Sequence, residues 1–129
     1  MRDLIRNIAH IGYQVQDIAR SLAFYQPLGF TLRRRFSKPS GSGNIEVAFI
    51  EMGGVVLELY QLPNGLAFDR ARCGIDHIAL EVSDLAAVMA VLTTLGYPLD
   101  KGPVQEEKLR FLLIRGPDGE RLEFDQYLA

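Results

Sequence analysis

A chain of 129 residues, 48% of them apolar, carries enough hydrophobic side chains for one compact core of ordinary size. Its net charge of −2 and pI near 5.6 leave no electrostatic footprint for nucleic acid or for an anionic membrane surface, so neither is expected as a partner. The single cysteine, Cys73, cannot form an intrachain disulfide, and the first residues hold no apolar stretch long enough for a signal peptide or a membrane span; a soluble cytoplasmic protein is expected.

The first predicted element is an alternating strand from Asn7 to Val15. Ala9, Ile11, Tyr13 and Val15 fall on one side, and Ile8, His10, Gly12 and Gln14 on the other, so His10 points away from the apolar face. Asp17 is placed to cap a helix whose Ile18, Leu22, Tyr25 and Leu28 recur at helical spacing. Pro27 distorts its last turn, and Gly29 supplies the left-handed residue that ends it. A strand near Phe30 to Phe36 follows, then a loop from Ser37 to Asn44 rich in Gly, Ser and Pro. Strands near Ile45 to Met52 and Val55 to Leu62 flank a Gly53-Gly54 turn. A turn-rich linker runs from Pro63 to Gly74. The plan then repeats: a strand from Ile75 to Val82, a helix from Asp84 to Leu95 closed by Gly96, and strands near Tyr97, Leu109 to Arg115 and Glu120 to Tyr127. Gly116-Pro117-Asp118-Gly119 turns the last hairpin.

The repetition is also one of residues. Ile8, His10, Ile11, Val15, Asp17, Ala19, Ala23, Leu28 and Gly29 recur as Ile75, His77, Ile78, Val82, Asp84, Ala86, Ala90, Leu95 and Gly96 without a gap. The two histidines are the only ones in the chain. Two βαβββ modules, 7–62 and 75–127 joined by the linker 63–74, make an α+β fold in a single domain of 1–129.

Strand parity places further candidates with the histidines. In the closing strand of each module, Leu57 and Leu59 oppose Val56, Glu58 and Tyr60, and Leu122 and Phe124 oppose Arg121, Glu123 and Asp125. Glu58 and Glu123 thus leave the helix-packed side, as His10 and His77 do. A carboxylate among large apolar neighbours is costly to bury unless something pairs with it. Two imidazoles and two carboxylates suit one first-row divalent ion, Zn, Ni, Co, Mn or Fe.

The run His10-Ile11-Gly12-Tyr13-Gln14-Val15-Gln16-Asp17, followed by Ser21 to Tyr25 and Leu28-Gly29-Phe30, resembles the opening module of the vicinal oxygen chelate superfamily. That group includes glyoxalase I, methylmalonyl-CoA epimerase, extradiol dioxygenases and the fosfomycin- and bleomycin-resistance proteins. The second module is similar too, with Asp76 to Val82 at its start and Gly116-Pro117-Asp118-Gly119-Glu120-Arg121-Leu122-Glu123 near its end. The resemblance implies a curved mixed sheet around a central cavity, with metal ligands at His10, Glu58, His77 and Glu123. This ligand set is most like that of glyoxalase I and, with Gln in place of the first Glu, of the epimerases. It implies a lyase or isomerase that removes a proton next to a metal-chelated carbonyl of a small substrate, with Glu123, and Glu58 as its near-symmetric partner, as the base. The alternatives are a non-catalytic or resistance-type small-molecule binder of the same fold and an Fe(II) extradiol-type dioxygenase. The places where glyoxalase I relatives bind glutathione hold Gln14 and Leu62, and Ser42-Gly43-Asn44-Ile45 stands where epimerases carry their catalytic Glu motif.

Substrate-contact candidates are Gln14 and Glu81, which occupy matching places in the two modules, Tyr60 on the face of Glu58, and Glu46, read as inward by parity. Arg33 and Arg35 share a parity and read as a solvated strand edge or an anion contact. Asp125 reads as rim or surface. Cys73 has no evident base beside it and is assigned no nucleophilic role. Small chains of this plan pair through exposed sheet edges, so a homodimer is expected, and the four ligands then come from one chain or from two.

Overall fold

A computed structural model describes residues 2–4, 6–65 and 75–129. The chain divides into two compact units, Met1–Phe68 and Asp69–Ala129. The expected linker lies largely outside the described residues, as does Cys73. Among the described residues no helix is long and apolar enough to cross a membrane.

In the first unit β1 (Ile11–Gln14) leads to α1 (Ile18–Tyr25), and a 3-10 turn over Gln26–Leu28 carries Pro27 and ends at Gly29, φ +107°. Then come β2 (Thr31–Ser40), β3 (Gly43–Met52) and β4 (Val55–Gln61). The sheet order is β1-β4-β3-β2, with β1 parallel to β4 and the other pairs antiparallel. The Gly53-Gly54 turn has positive φ at both positions, as a tight two-residue hairpin turn requires. Asp17 caps α1 by accepting from the Arg20 N–H at 3.1 Å. Helical spacing then buries Ile18, Leu22 and Tyr25 against Ala48, Ile50, Leu57 and Leu59 of the sheet. Each large aliphatic side chain buried there contributes about 1.5–3 kcal/mol.

The second unit repeats the plan with β5 (His77–Glu81), α2 (Leu85–Leu95), β6 (Leu99–Gln105), β7 (Leu109–Arg115) and β8 (Arg121–Tyr127), in the order β5-β8-β7-β6. Asp84 caps α2 as Asp17 caps α1, and Gly96 ends it at φ +75°. Leu85 and Leu92 are the buried residues of α2, while Leu112, Ile114, Leu122 and Phe124 form the buried face of the sheet. One device was not foreseen. The side-chain oxygen of Gln61 accepts from the Ile18 N–H, and that of Gln126 from the Leu85 N–H, both at 2.9 Å. Each closing strand thereby satisfies the first N–H of its own helix.

Several sequence expectations are corrected. The first strand is shorter than Asn7 to Val15, because pairing with β4 begins at Ile11; likewise β5 starts at His77 and not Ile75. The last module's third element is β6 from Leu99, not a strand at Tyr97. The loop from Ser37 to Asn44 is mostly strand: β2 and β3 stay paired out to Ser40 and Gly43. Pro39 fits because β2 is an edge strand with one side free of ladder hydrogen bonds.

Candidate metal centre

In the first unit the register places Gly12, Glu58, Phe49 and Arg34 as successive cross-strand neighbours, with Gln14, Tyr60 and Val47 on the same face. Leu57, Leu59, Ala48 and Ile50 occupy the other, helix-covered face. His10 lies one residue before β1, and its Nε2 is 3.2 Å from Glu58 Oε2. The edge of its ring meets Phe49, with centroids 5.4 Å apart and planes at 88°.

The second unit builds the same pair. His77 and Glu81 of β5 share a face with Arg121, Glu123 and Asp125 of β8 and with Leu113 of β7. His77 Nε2 is 2.9 Å from Glu123 Oε2. The same nitrogen thus meets the same type of carboxylate oxygen in both units. The second pair is more strongly held. His77 Nδ1 is 2.7 Å from Asp76 Oδ2, Asp76 is reached by Arg121 at 3.1 Å, and Asp100 joins Arg121 at 3.1 Å to Arg115 at 2.8 Å. With Nδ1 turned to Asp76, Nε2 is the ring nitrogen directed at Glu123.

Electrostatics follow from this wiring. The hydrogen bond from His77 holds the Asp76 carboxyl below its ordinary value, helped by Arg121 and opposed by partial desolvation. Burial pushes the Glu123 carboxyl up, and the adjacent Asp125 pushes it further; His77 and Arg121 oppose. Asp125 is 7% exposed, and its Oδ1 is buried with no hydrogen-bond partner among the described residues, so the rim or surface position expected for it is corrected. Residues two apart on one strand share a face, which puts Asp125 beside Glu123.

The other candidates divide. Gln14 is buried and Tyr60 half-buried on the face of Glu58, while Glu81 is exposed opposite Asp125. Glu46 is corrected: β3 pairs with β4 without a bulge, Ala48 opposite Leu59, so Glu46 lies on the helix-side parity and accepts from the Ser37 hydroxyl. The shared parity of Arg33 and Arg35 is also corrected, because a bulge between Leu32 and Arg34 makes Arg33 an extra residue. Among the described residues no group of three or more His, Cys, Asp and Glu side chains is gathered to hold a metal ion. The structure brings together His10 with Glu58 and His77 with Glu123. Sequence reading missed Asp76, Asp100, Arg115, Arg121 and Arg34; the acid immediately before His77, absent before His10, was the one visible signal.

The family model of the glyoxalase/bleomycin resistance protein/dioxygenase superfamily matches residues 7–124. The chain belongs to this superfamily. It is 31% identical to the uncharacterized protein YwbC of Bacillus subtilis (strain 168), across 95% of this chain and 99% of the relative. Among solved structures, a glyoxalase family protein from Bacillus cereus shares the fold with a TM-score of 0.80 at 21% identity, covering 97% of this chain and 96% of that one. TnmS3, an antibiotic binding protein from Streptomyces sp. CB03234, shares it with a TM-score of 0.63 at 22% identity, covering 95% and 99%. The α+β architecture of two four-stranded mixed sheets is that of the superfamily.

Proposed function

We propose that this superfamily member is a metal-dependent lyase or isomerase of glyoxalase type, which removes a proton next to a chelated carbonyl of a small substrate. The observation that carries this reading is the repeated contact of a His Nε2 with a Glu Oε2, once in each unit. These residues fit a divalent cation. Each unit offers an imidazole nitrogen and a carboxylate oxygen already facing one another, and the half-buried Glu123 sits beside the buried Asp125, whose Oδ1 has no hydrogen-bond partner among the described residues. His10, Glu58, His77 and Glu123 would hold the ion, supplied by one chain or by two paired chains. When bound, the ion supplies a Lewis acid for the vicinal oxygens of the substrate.

Glu123 is the group that moves the proton. Its pKa, raised by burial and by Asp125, makes it a stronger base than an exposed carboxylate, and Glu58 is its counterpart in the first unit. A second reading, a binder of the same fold without catalysis, draws support from the fold shared with TnmS3.

Proton exchange separates the two. Zinc- or nickel-loaded protein in deuterium oxide is given small 2-oxo and 2-hydroxy carbonyl compounds, and deuterium at the carbon beside the carbonyl is followed by NMR. Incorporation that is lost in Glu123→Gln supports the lyase or isomerase. Tight binding without incorporation favours the binder, and Fe(II)-dependent oxygen uptake with a catechol would instead make it an oxygenase.

A further inference from the structure

Three consecutive arginines open β2, and the bulge sends them to three different fates. Arg33 is the extra residue, and its guanidinium is neutralised by Glu51. Arg35 pairs with Ala48, on the helix-side parity. Arg34 pairs with Phe49 and so shares the face of Glu58. No carboxylate among the described residues pairs with Arg34. Its guanidinium lies over the ring of Phe36, 4.3 Å from the centroid. A guanidinium held over an aromatic face by the ring's π cloud still has N–H donors to offer an oxyanion.

The aromatic rings continue from there toward the proposed metal ligands. Phe36 and Phe49 are stacked, with centroids 6.3 Å apart and planes at 19°, and Phe49 meets His10. Across the sheet, Arg34 and Glu58 are two strands apart, about 10 Å at the usual strand spacing. Along that distance the face offers a cation, then a flat apolar surface, then an imidazole and a carboxylate. Gly12, next in the row, adds no side chain. The second unit repeats the placement in weaker form: Lys101 pairs with Leu113 and sits 5.5 Å from the ring centroid of Phe111.

We propose that Arg34, Phe36 and Phe49 form a substrate subsite that takes a carboxylate carried on a flat or apolar body, the other end of the same molecule reaching the His10–Glu58 pair. The proposal deepens the lyase or isomerase reading and rests on it for the metal-bound end; the anion-binding end stands on Arg34 and the two rings alone. Charge complementarity chooses the occupant: a cation with no carboxylate partner among the described residues calls for an anion, and the rings beside it call for a planar or apolar group next to that anion.

Two titrations test the two ends separately. Metal-free protein is titrated with benzoate and with benzamide, followed by the Arg34 Nε–H and the ring resonances of Phe36 and Phe49. Zinc-loaded protein is then titrated calorimetrically with benzohydroxamate and with 4-carboxybenzohydroxamate, which differ only in the distal carboxylate. The expected result is that benzoate alone moves those resonances and that the carboxylated hydroxamate binds about tenfold tighter. Arg34→Gln erases both differences, and Arg33→Gln keeps them. Identical behaviour of benzoate and benzamide, or a tenfold preference that survives Arg34→Gln, would overturn the subsite. Protein that takes up zinc but binds the two hydroxamates equally also overturns the subsite and leaves the metal reading standing. Protein that takes up no zinc but binds benzoate through Arg34 supports the subsite and fails the metal reading.

Discussion

The Nδ1 of His77 lies 2.7 Å from a carboxylate oxygen of Asp76, the residue immediately before it, whereas the residue before His10 is an alanine. The two histidines of an otherwise repeated pattern are therefore not equivalent. Asp76 holds the ring orientation of His77, and Arg121, itself joined through Asp100 to Arg115, holds Asp76 in turn. A carboxylate behind a ligating imidazole makes it a better donor.

Asp76→Asn is expected to weaken zinc binding about 10- to 100-fold, the usual cost of losing such a partner. Competition with a chromophoric chelator measures it. Ala9→Asp, which gives His10 the same neighbour, is a gain-of-affinity counterpart for the same assay. An Asp76→Asn variant with unchanged zinc affinity would mean that the contact plays no part in holding a metal.

The ion pairs around Asp100 carry a pH signature. The hydrogen bond from Arg115 holds its carboxyl below the ordinary value of 3.8; desolvation opposes this, and Arg121 adds to the lowering. A folded-state pKa below the unfolded one means that the stabilisation is present in full above the unfolded value and disappears as pH falls through the folded one. Asp100→Asn should therefore lower stability by about 0.5–1 kcal/mol at neutral pH, since the group is partly exposed and solvent screens it. The gap from wild type should close as pH falls below 3.8. Urea denaturation at a series of pH values checks this, and a gap that stays constant through that range would contradict it.

Gln61 and Gln126 perform the same task in separate units, each accepting the first N–H of its helix. Replacing either by Ala leaves that partly buried N–H without its side-chain partner and should cost about 1 kcal/mol. The residues belong to different units and share no partner among the described residues, so the double variant should lose the sum of the two. Thermal denaturation of the three variants tests both statements.

How much of the fold and the site was legible in the sequence depended on how local each signal was. Asp17, Asp84, Gly29 and Gly96 declared the helix ends because a cap and a left-handed stop are chemistry of a few adjacent residues. His10, Glu58, His77 and Glu123 could be put on one side of their strands because the side-chain period of a strand is two and no bulge interrupts β4 or β8. Arg34 was hidden for the opposite reason: a single extra residue at Arg33 reverses the parity of the strand's first residues relative to its later ones. Pro39 and its Gly and Ser neighbours read as loop, since nothing local says that their strand lies at an edge where Pro is tolerated. The burial of Asp125 is set by neighbouring strands and so is absent from any local pattern.

In the reading proposed above, the two His–Glu pairs serve one divalent ion. Metal content per chain, measured on protein loaded with zinc and desalted, tests it most directly alongside His10→Ala and His77→Ala. One ion per chain is expected in the wild type, with loss of that ion in either variant. A protein that cannot be loaded with Zn, Ni, Co or Mn would contradict it, and so would two ions per chain lost one at a time by the two substitutions.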